Sequence, residues 1–169
     1  MSGLLALGAL AAEAPSQFKV GEFTFKRPTA WEWVDVSSSP MRKAQLKIKG
    51  EKDESGEVVF FYFGQGGGGG TQANVDRWLG QFQEPKEKLN SKVEEATIGK
   101  GKVTFVQAEG TYMSGMPGGG ARTAQPGSML LGAILDSEQG NVFIKFTGPA
   151  RLVKASQEEF RKLVRSALE

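Results

Sequence analysis

Val58-Val59-Phe60-Phe61-Tyr62-Phe63 is apolar at every position. A run this short, and this rich in β-branched and aromatic side chains, has the length of a strand. With no polar residue to turn towards water, it predicts a strand buried on both faces. Such a strand needs cover above and below, so these residues decide between a sheet with one helical layer and a sheet lying between two.

The flanking segments supply the cover. Gly64 through Gly70 follow, interrupted only by Gln65, and then the period changes. Val75, Trp78, Leu79 and Phe82 stand at i, i+3, i+4 and i+7, which predicts an amphipathic helix with Thr71 or Asn74 as N-cap and Pro85 beyond its end. Burying those four side chains contributes on the order of 6–12 kcal/mol before chain entropy is subtracted. A second helix is predicted at the far end of the chain, opening at Ser156 with Glu159 three residues on as a capping box. Its apolar face is Phe160, Leu163, Val164, Ala167 and Leu168.

Strands account for the remainder. Phe23 to Lys26 and Trp31 to Val36 alternate apolar with polar and are separated by Arg27-Pro28-Thr29, a corner. Ala44 to Lys49 alternates through Leu46 and Ile48, and Lys52 to Gly56 is the polar turn that leads into the decisive run. Val103 to Tyr112 reads as a longer strand, followed by a loop from Ser114 to Gly127 that carries Gly118-Gly119-Gly120. Met129 to Leu135 is a second near-continuous apolar strand, joined through Asp136 to Gly140 to Val142–Thr147 as a hairpin and stopped by Gly148-Pro149. Two strands apolar on both sides and two amphipathic helices make an α+β fold. The expectation is a three-layer α/β/α sandwich, a mostly antiparallel central sheet with one helix on each face. A roll with both helices on one side is the alternative, and Val58–Phe63 argues against it.

Composition limits the chemistry. The chain has 169 residues, 39% hydrophobic and 24% charged, with a formal charge of +2. That is ordinary for a globular chain and gives no electrostatic footprint for nucleic acid. Histidine and cysteine are both absent. Ser-His-Asp and Cys-His pairs are therefore excluded, as are disulfides, thiolate metal sites and a lipoprotein anchor. No zinc or copper site is expected with only carboxylates and carbonyls left, and nothing in the residues asks for a cofactor.

Residues 1–14 are expected to be a signal peptide, whole or truncated, and residues 15–169 a single α+β domain. Leu4 to Ala12 is apolar, Ala12-Glu13-Ala14 fits a small-x-small cleavage site, and Ala9-Leu10-Ala11 fits as an alternative. The apolar run falls short of the roughly 20 residues that span a bilayer. No Lys or Arg precedes it, which a start set too far downstream would explain; a short buried helix or a frayed terminus is the alternative. The expected location is exported, periplasmic or extracellular.

Catalytic patterns mostly fail. G-x-S-x-G does not occur, and Ser16-Gln17-Phe18-Lys19 matches S-x-x-K without the motifs that accompany it. Glu94-Glu95 and Glu158-Glu159 are adjacent acids whose side chains diverge. The acidic turns do not fit a calcium loop. Gly66–Gly70 ahead of a helix could cradle an anion, yet Thr71-Gln72-Ala73 follows where a P-loop carries Lys-Ser/Thr, so a plain connector is the better reading. Were the two glycine loops to meet at one end of the sheet, Gln65, Thr71, Arg77, Arg122 and Gln125 would rim a shallow binding site.

The segments Phe60 to Gly64 with the glycine tract, Asn74 to Phe82, Gly132-Ala133-Ile134 and Phe143 to Pro149 resemble a group of uncharacterised exported bacterial proteins. More distantly, the element order from Phe18 to Leu168 resembles the PsbP-type fold of the extrinsic photosystem II proteins and the Ran-binding Mog proteins. The resemblance implies that residues 15–169 are a single PsbP/Mog-like sandwich that binds or assembles rather than catalyses, and it carries over no functional residue. Photosystem members can use histidine in metal binding, and this chain has none. The expected function is a non-enzymatic extracytoplasmic binding or assembly module with a protein partner in the cell envelope, without nucleic acid and without a transmembrane segment. The alternatives are a small ligand in place of the protein, a hydrolase or transferase working through carboxylates or Arg122, and an anion or nucleotide binder at Gly66–Thr71.

Overall fold

The computed structural model describes residues 14–115 and 121–169. Almost all of the expected signal peptide, and residues 116–120 of the second glycine loop, lie outside them. The described elements are β1 (Gln17–Val20), β2 (Phe23–Lys26), β3 (Glu32–Trp33), β4 (Arg42–Lys49), β5 (Ser55–Tyr62), α1 (Thr71–Leu79), β6 (Asn90–Ile98), β7 (Gly101–Ser114), β8 (Thr123–Leu135), β9 (Val142–Pro149), α2 (Ala150–Ala155) and α3 (Gln157–Ser166). Seven strands form one sheet in the order β3-β4-β5-β9-β8-β7-β6, and every neighbouring pair is antiparallel. β1 and β2 form a separate hairpin. None of the described helices is long and apolar enough to cross a membrane.

The molecule is mixed α+β with a large antiparallel sheet, but the expected sandwich is too regular a description. Strands dominate, and the cover is uneven. On one face Phe60, Phe146, Ile144 and Leu131 pack with Phe160, Leu163 and Val164 of α3, and the β1–β2 hairpin adds Phe25 to the same cluster. On the other face Val75, Trp78 and Leu79 of the nine-residue α1 meet Val106, Leu130, Ile134 and Phe143. Alternate residues of a strand point to opposite faces, so Leu130 and Leu131, neighbours in β8, serve different clusters.

Several local expectations are corrected. Val58, Val59 and Phe60 are buried, but Phe61 and Tyr62 are half-buried and Phe63 is 41% exposed. The cover ends before the apolar run does. There the aromatics turn to local partners: Phe61 stacks on Phe63 at 6.3 Å, and the Tyr62 hydroxyl donates to the Gln139 carbonyl at 2.7 Å. Helix α1 is capped by Gly70 without a side-chain bond. Thr71 is its first residue, and Asn74 lies inside it. The Asn74 amide instead donates back to the carbonyls of Gly68 and Gly70 at 2.8 and 2.9 Å, stitching the glycine tract to the helix. Asn74→Ala is expected to cost about 1–2 kcal/mol in denaturant titrations and to make the tract more sensitive to protease, with the rest of the chain unaffected.

Phe82 is buried beyond the end of α1, because the chain straightens there. The Gln83 N–H donates to the Thr111 carbonyl, and the Met113 N–H donates to the Gln81 carbonyl, both at 2.8 Å. At the other end of the chain Ser156 is the N-cap of α3, as expected, and its carbonyl accepts the Phe160 N–H at 3.0 Å, but the capping box does not form. The Ser156 N–H donates to Leu152 and Val153 carbonyls at 3.1 Å, which closes α2, and its side chain makes no cap bond to α3. Residues 123–127, expected as loop, are the start of β8: Thr123, Ala124 and Gln125 pair with Ser114, Met113 and Tyr112. Strands β1 and β6 were not expected at all.

Candidate functional site

The sheet face under α1 is covered only at one end. Register carries the pattern across it: Lys47 lies beside Glu57, Glu57 beside Thr147, and Thr147 beside Leu130, all pointing to the α1 side. Past the helix this face becomes an open groove of about 580 Å³, to which Gln45, Glu57, Tyr112, Gln125, Ser128 and Thr147 contribute. Tyr112 enters it because β7 shifts register between Gly110 and Tyr112. Glu84 holds that bulge, accepting the Thr111 N–H at 2.8 and 3.0 Å on its two oxygens, and hydrogen bonding from the Thr111 side chain first, and from that N–H second, keeps its carboxyl below the usual carboxylate range. A β-carbon at Gly110 would stand 2.7 Å from a Glu84 oxygen, so a side chain there would push the carboxylate from its place.

Lys145 lies on the same face, flanked by Val59 on β5 and Gly132 on β8. Its ammonium donates to Gln81 Oε1 at 3.1 Å and to the Tyr112 hydroxyl at 3.2 Å, and Tyr112 donates to the same Gln81 oxygen at 3.2 Å. Both acceptors are neutral. No carboxylate among the described residues comes within ion-pairing distance of Lys145; the nearby Glu57 is taken by Arg42 at 3.4 Å and by Gln45 at 3.1 Å. Burial therefore dominates and pulls the Lys145 pKa down to about 8, with Glu57 opposing and Arg42 adding to the fall. Burial likewise pushes the Tyr112 hydroxyl up, helped by Glu57 and opposed by Arg42 and Arg122.

This arrangement has a pH signature. Because the folded pKa of Lys145 lies below its ordinary value of 10.5, the unfolded chain holds a proton that the native state has released, from about pH 8 upward. Stability from this group accordingly rises with pH across that window. Between pH 8 and 10 the gain is on the order of 2 kcal/mol, and above about 10 Tyr112 acts in the opposite sense. Urea titrations across this range should show the rise in the wild type and a flat difference in Lys145→Met.

The structure separates the five residues expected to share a rim. Gln65 is exposed in the glycine tract, Thr71 begins α1, and Arg77 lies in its last turn, where it donates to Asn74 Oδ1 at 3.2 Å. Gln65 and Thr71 belong to the end of the sheet where β5 finishes and β9 begins, and Arg77 lies farther along, beside the Trp78 that rests on mid-strand Gly132. Arg122 and Gln125 belong to the β7–β8 hairpin at the other end, because β8 runs from Thr123 there to Leu135 beside Val142. The described residues beside the two glycine loops thus lie towards opposite ends of the sheet. Gln125 lines the groove, and Arg122 is near enough for its charge to act on Tyr112. Sequence reasoning missed Lys145, Tyr112, Gln81, Arg42 and Glu57. A signal existed for one of them: Lys145 is the lone cation between Ile144 and Phe146 in a strand expected to pair, as a hairpin, with the apolar Met129–Leu135. Among the described residues no group of three or more acidic side chains is placed to hold a metal ion.

No family model matches the chain, and no curated protein matches it. Among solved structures, the solution structure of cyanobacterial PsbP from Synechocystis sp. PCC 6803 is similar, with a TM-score of 0.53 at 11% identity, covering 95% of this chain and 96% of that one. At that identity the likeness is one of fold, and the chain accordingly has a PsbP-like fold.

Proposed function

We propose that this protein is a non-enzymatic binding or assembly module that works outside the cytoplasm, and that a protein partner seats an acidic side chain in the groove beside Lys145. One observation carries the reading. The Lys145 ammonium has three protons, two of them spent on neutral oxygens, and no carboxylate beside it. A part-buried cation in that state gains from an arriving anion and costs the free protein stability until one arrives. The groove itself carries Asp53, Glu54 and Glu57 against Lys47, so the reading rests on Lys145 and not on the summed charge of the lining. The export-like first residues and the lack of cysteine support the extracytoplasmic setting.

The test is capture from envelope extract with wild-type protein and with Lys145→Gln, which keeps a hydrogen-bonding side chain without the charge. A stoichiometric partner held by the wild type and lost with Lys145→Gln, at an equal or higher melting temperature, is the expected result. Undiminished capture by Lys145→Gln would sink the groove as the contact. A second reading has one observation in its favour: a lysine near pH 8 beside a tyrosine is suited to proton transfer, as a small hydrolase or transferase would need. It predicts turnover that disappears with Lys145→Gln. Anion binding at Gly66–Thr71 has less support, because Asn74 already stitches that tract to α1.

A further inference from the structure

We propose that the protein pairs with a second copy of itself, β6 against β6, about a two-fold axis through Val93. β6 closes one end of the seven-stranded sheet, and its outer edge has no neighbouring strand among the described residues. Nine residues is long for an edge, and a free ladder of that length is a template for another strand. Val93 at its middle is 47% exposed, an unusual position for a large apolar side chain in this molecule.

The charges on β6 then choose the occupant. A two-fold axis perpendicular to the sheet keeps each face continuous, so opposed residues must be an even number of positions apart. The even-numbered residues face α3, as the Glu94–Arg161 ion pair at 3.6 Å and the packing of Ala96 and Ile98 establish. An axis at Lys92 sets lysine against lysine. One at Glu94 or Glu95 sets glutamate against glutamate, and like charges directly opposed destabilise a ladder. With the axis at Val93, Lys92 of each copy faces Glu94 of the other, Ser91 faces Glu95, and the two exposed valines cover one another. Edge charges usually forbid pairing. Here they forbid the neighbouring registers and favour this one, which is self-complementary as an isologous contact must be.

Charge exchange tests the register. Lys92→Glu alone and Glu94→Lys alone each place two like pairs at the interface and should weaken the dimer by about tenfold or more in sedimentation equilibrium. Mixing the two variants should restore it, because Glu at 92 then meets Lys at 94 and the native Lys92 meets the native Glu94. Since the chain has no cysteine, single substitutions Ser91→Cys, Val93→Cys and Glu95→Cys report the axis directly. Under mild oxidation Val93→Cys should cross-link fastest, because directly opposed β-carbons lie roughly 4.5–5.5 Å apart. A wild type that stays monomeric at the highest attainable concentration overturns the proposal. So does a dimer indifferent to both charge changes, or one cross-linked as fast through position 91 or 95. These side chains are exposed, so unchanged melting of each variant separates lost pairing from lost folding.

Discussion

Trp78→Ala is expected to lower stability by about 3–5 kcal/mol, a fall in melting temperature on the order of 10 °C for a chain of this size. Trp78 is 5% exposed and is the largest side chain that α1 brings to the sheet. Its indole lies over Gly132 so closely that a β-carbon there would stand 2.7 Å from the ring carbon Cε3, nearer still to its neighbour Cζ3. Gly132→Ala should therefore be damaging in the wild type, by about 1–3 kcal/mol. In the Trp78→Ala background the added methyl group should be harmless or helpful, because it enters the space the indole leaves. A double-mutant cycle in urea reads that coupling, and two additive penalties would show that the ring does not rest on Gly132.

The second large effect is expected at Phe60. It is fully buried, and the rings of Phe18 and Phe25 meet it edge-on, each at a centroid distance of 5.0 Å. Because β1 and β2 belong to a separate sheet, ring packing on Phe60 does much of the work of holding their hairpin to the molecule. The Lys26 N–H adds one bond to Ser166 Oγ at 3.0 Å. Phe60→Ala should cost about 3–5 kcal/mol. Hydrogen exchange should then show residues 17–26 losing protection out of proportion to β8 and β9. Equal loss everywhere would mean that the hairpin is held by something other than these aromatics.

The parts of the fold that could be read from sequence are those where burial alternates or saturates. β5, β9 and the apolar half of β8 have that character, and so does the face of α1. β6 did not show, because Asn90-Ser-Lys-Val-Glu-Glu-Ala-Thr-Ile is exposed along most of both faces and has no apolar period. The opening residues of β8 did not show either; they form an arm of a hairpin that runs past the core, so polar and turn-forming residues are tolerated in it. Helix α2 did not show because Ala150–Ala155 has one buried side chain, Val153, and so no apolar face ahead of the start at Ser156. The candidate site depended on strand order, which sequence does not contain. Once β9 is inserted between β5 and β8, Lys145 and Tyr112 come together, and Thr71 and Gln125 are carried apart.

That insertion also governs when the chain can fold. Glu57 on β5 and Thr147 on β9 are register partners 90 positions apart (147 − 57). Until β9 has been synthesised, β3-β4-β5 and β6-β7-β8 are two half-sheets, each ending in a bare apolar edge. Closing so long a loop is slow, in the millisecond-to-second range for sheets built on distant pairings. During that interval the edges of β5 and β8 are where a holding chaperone would bind, and where two unfinished chains would stick together.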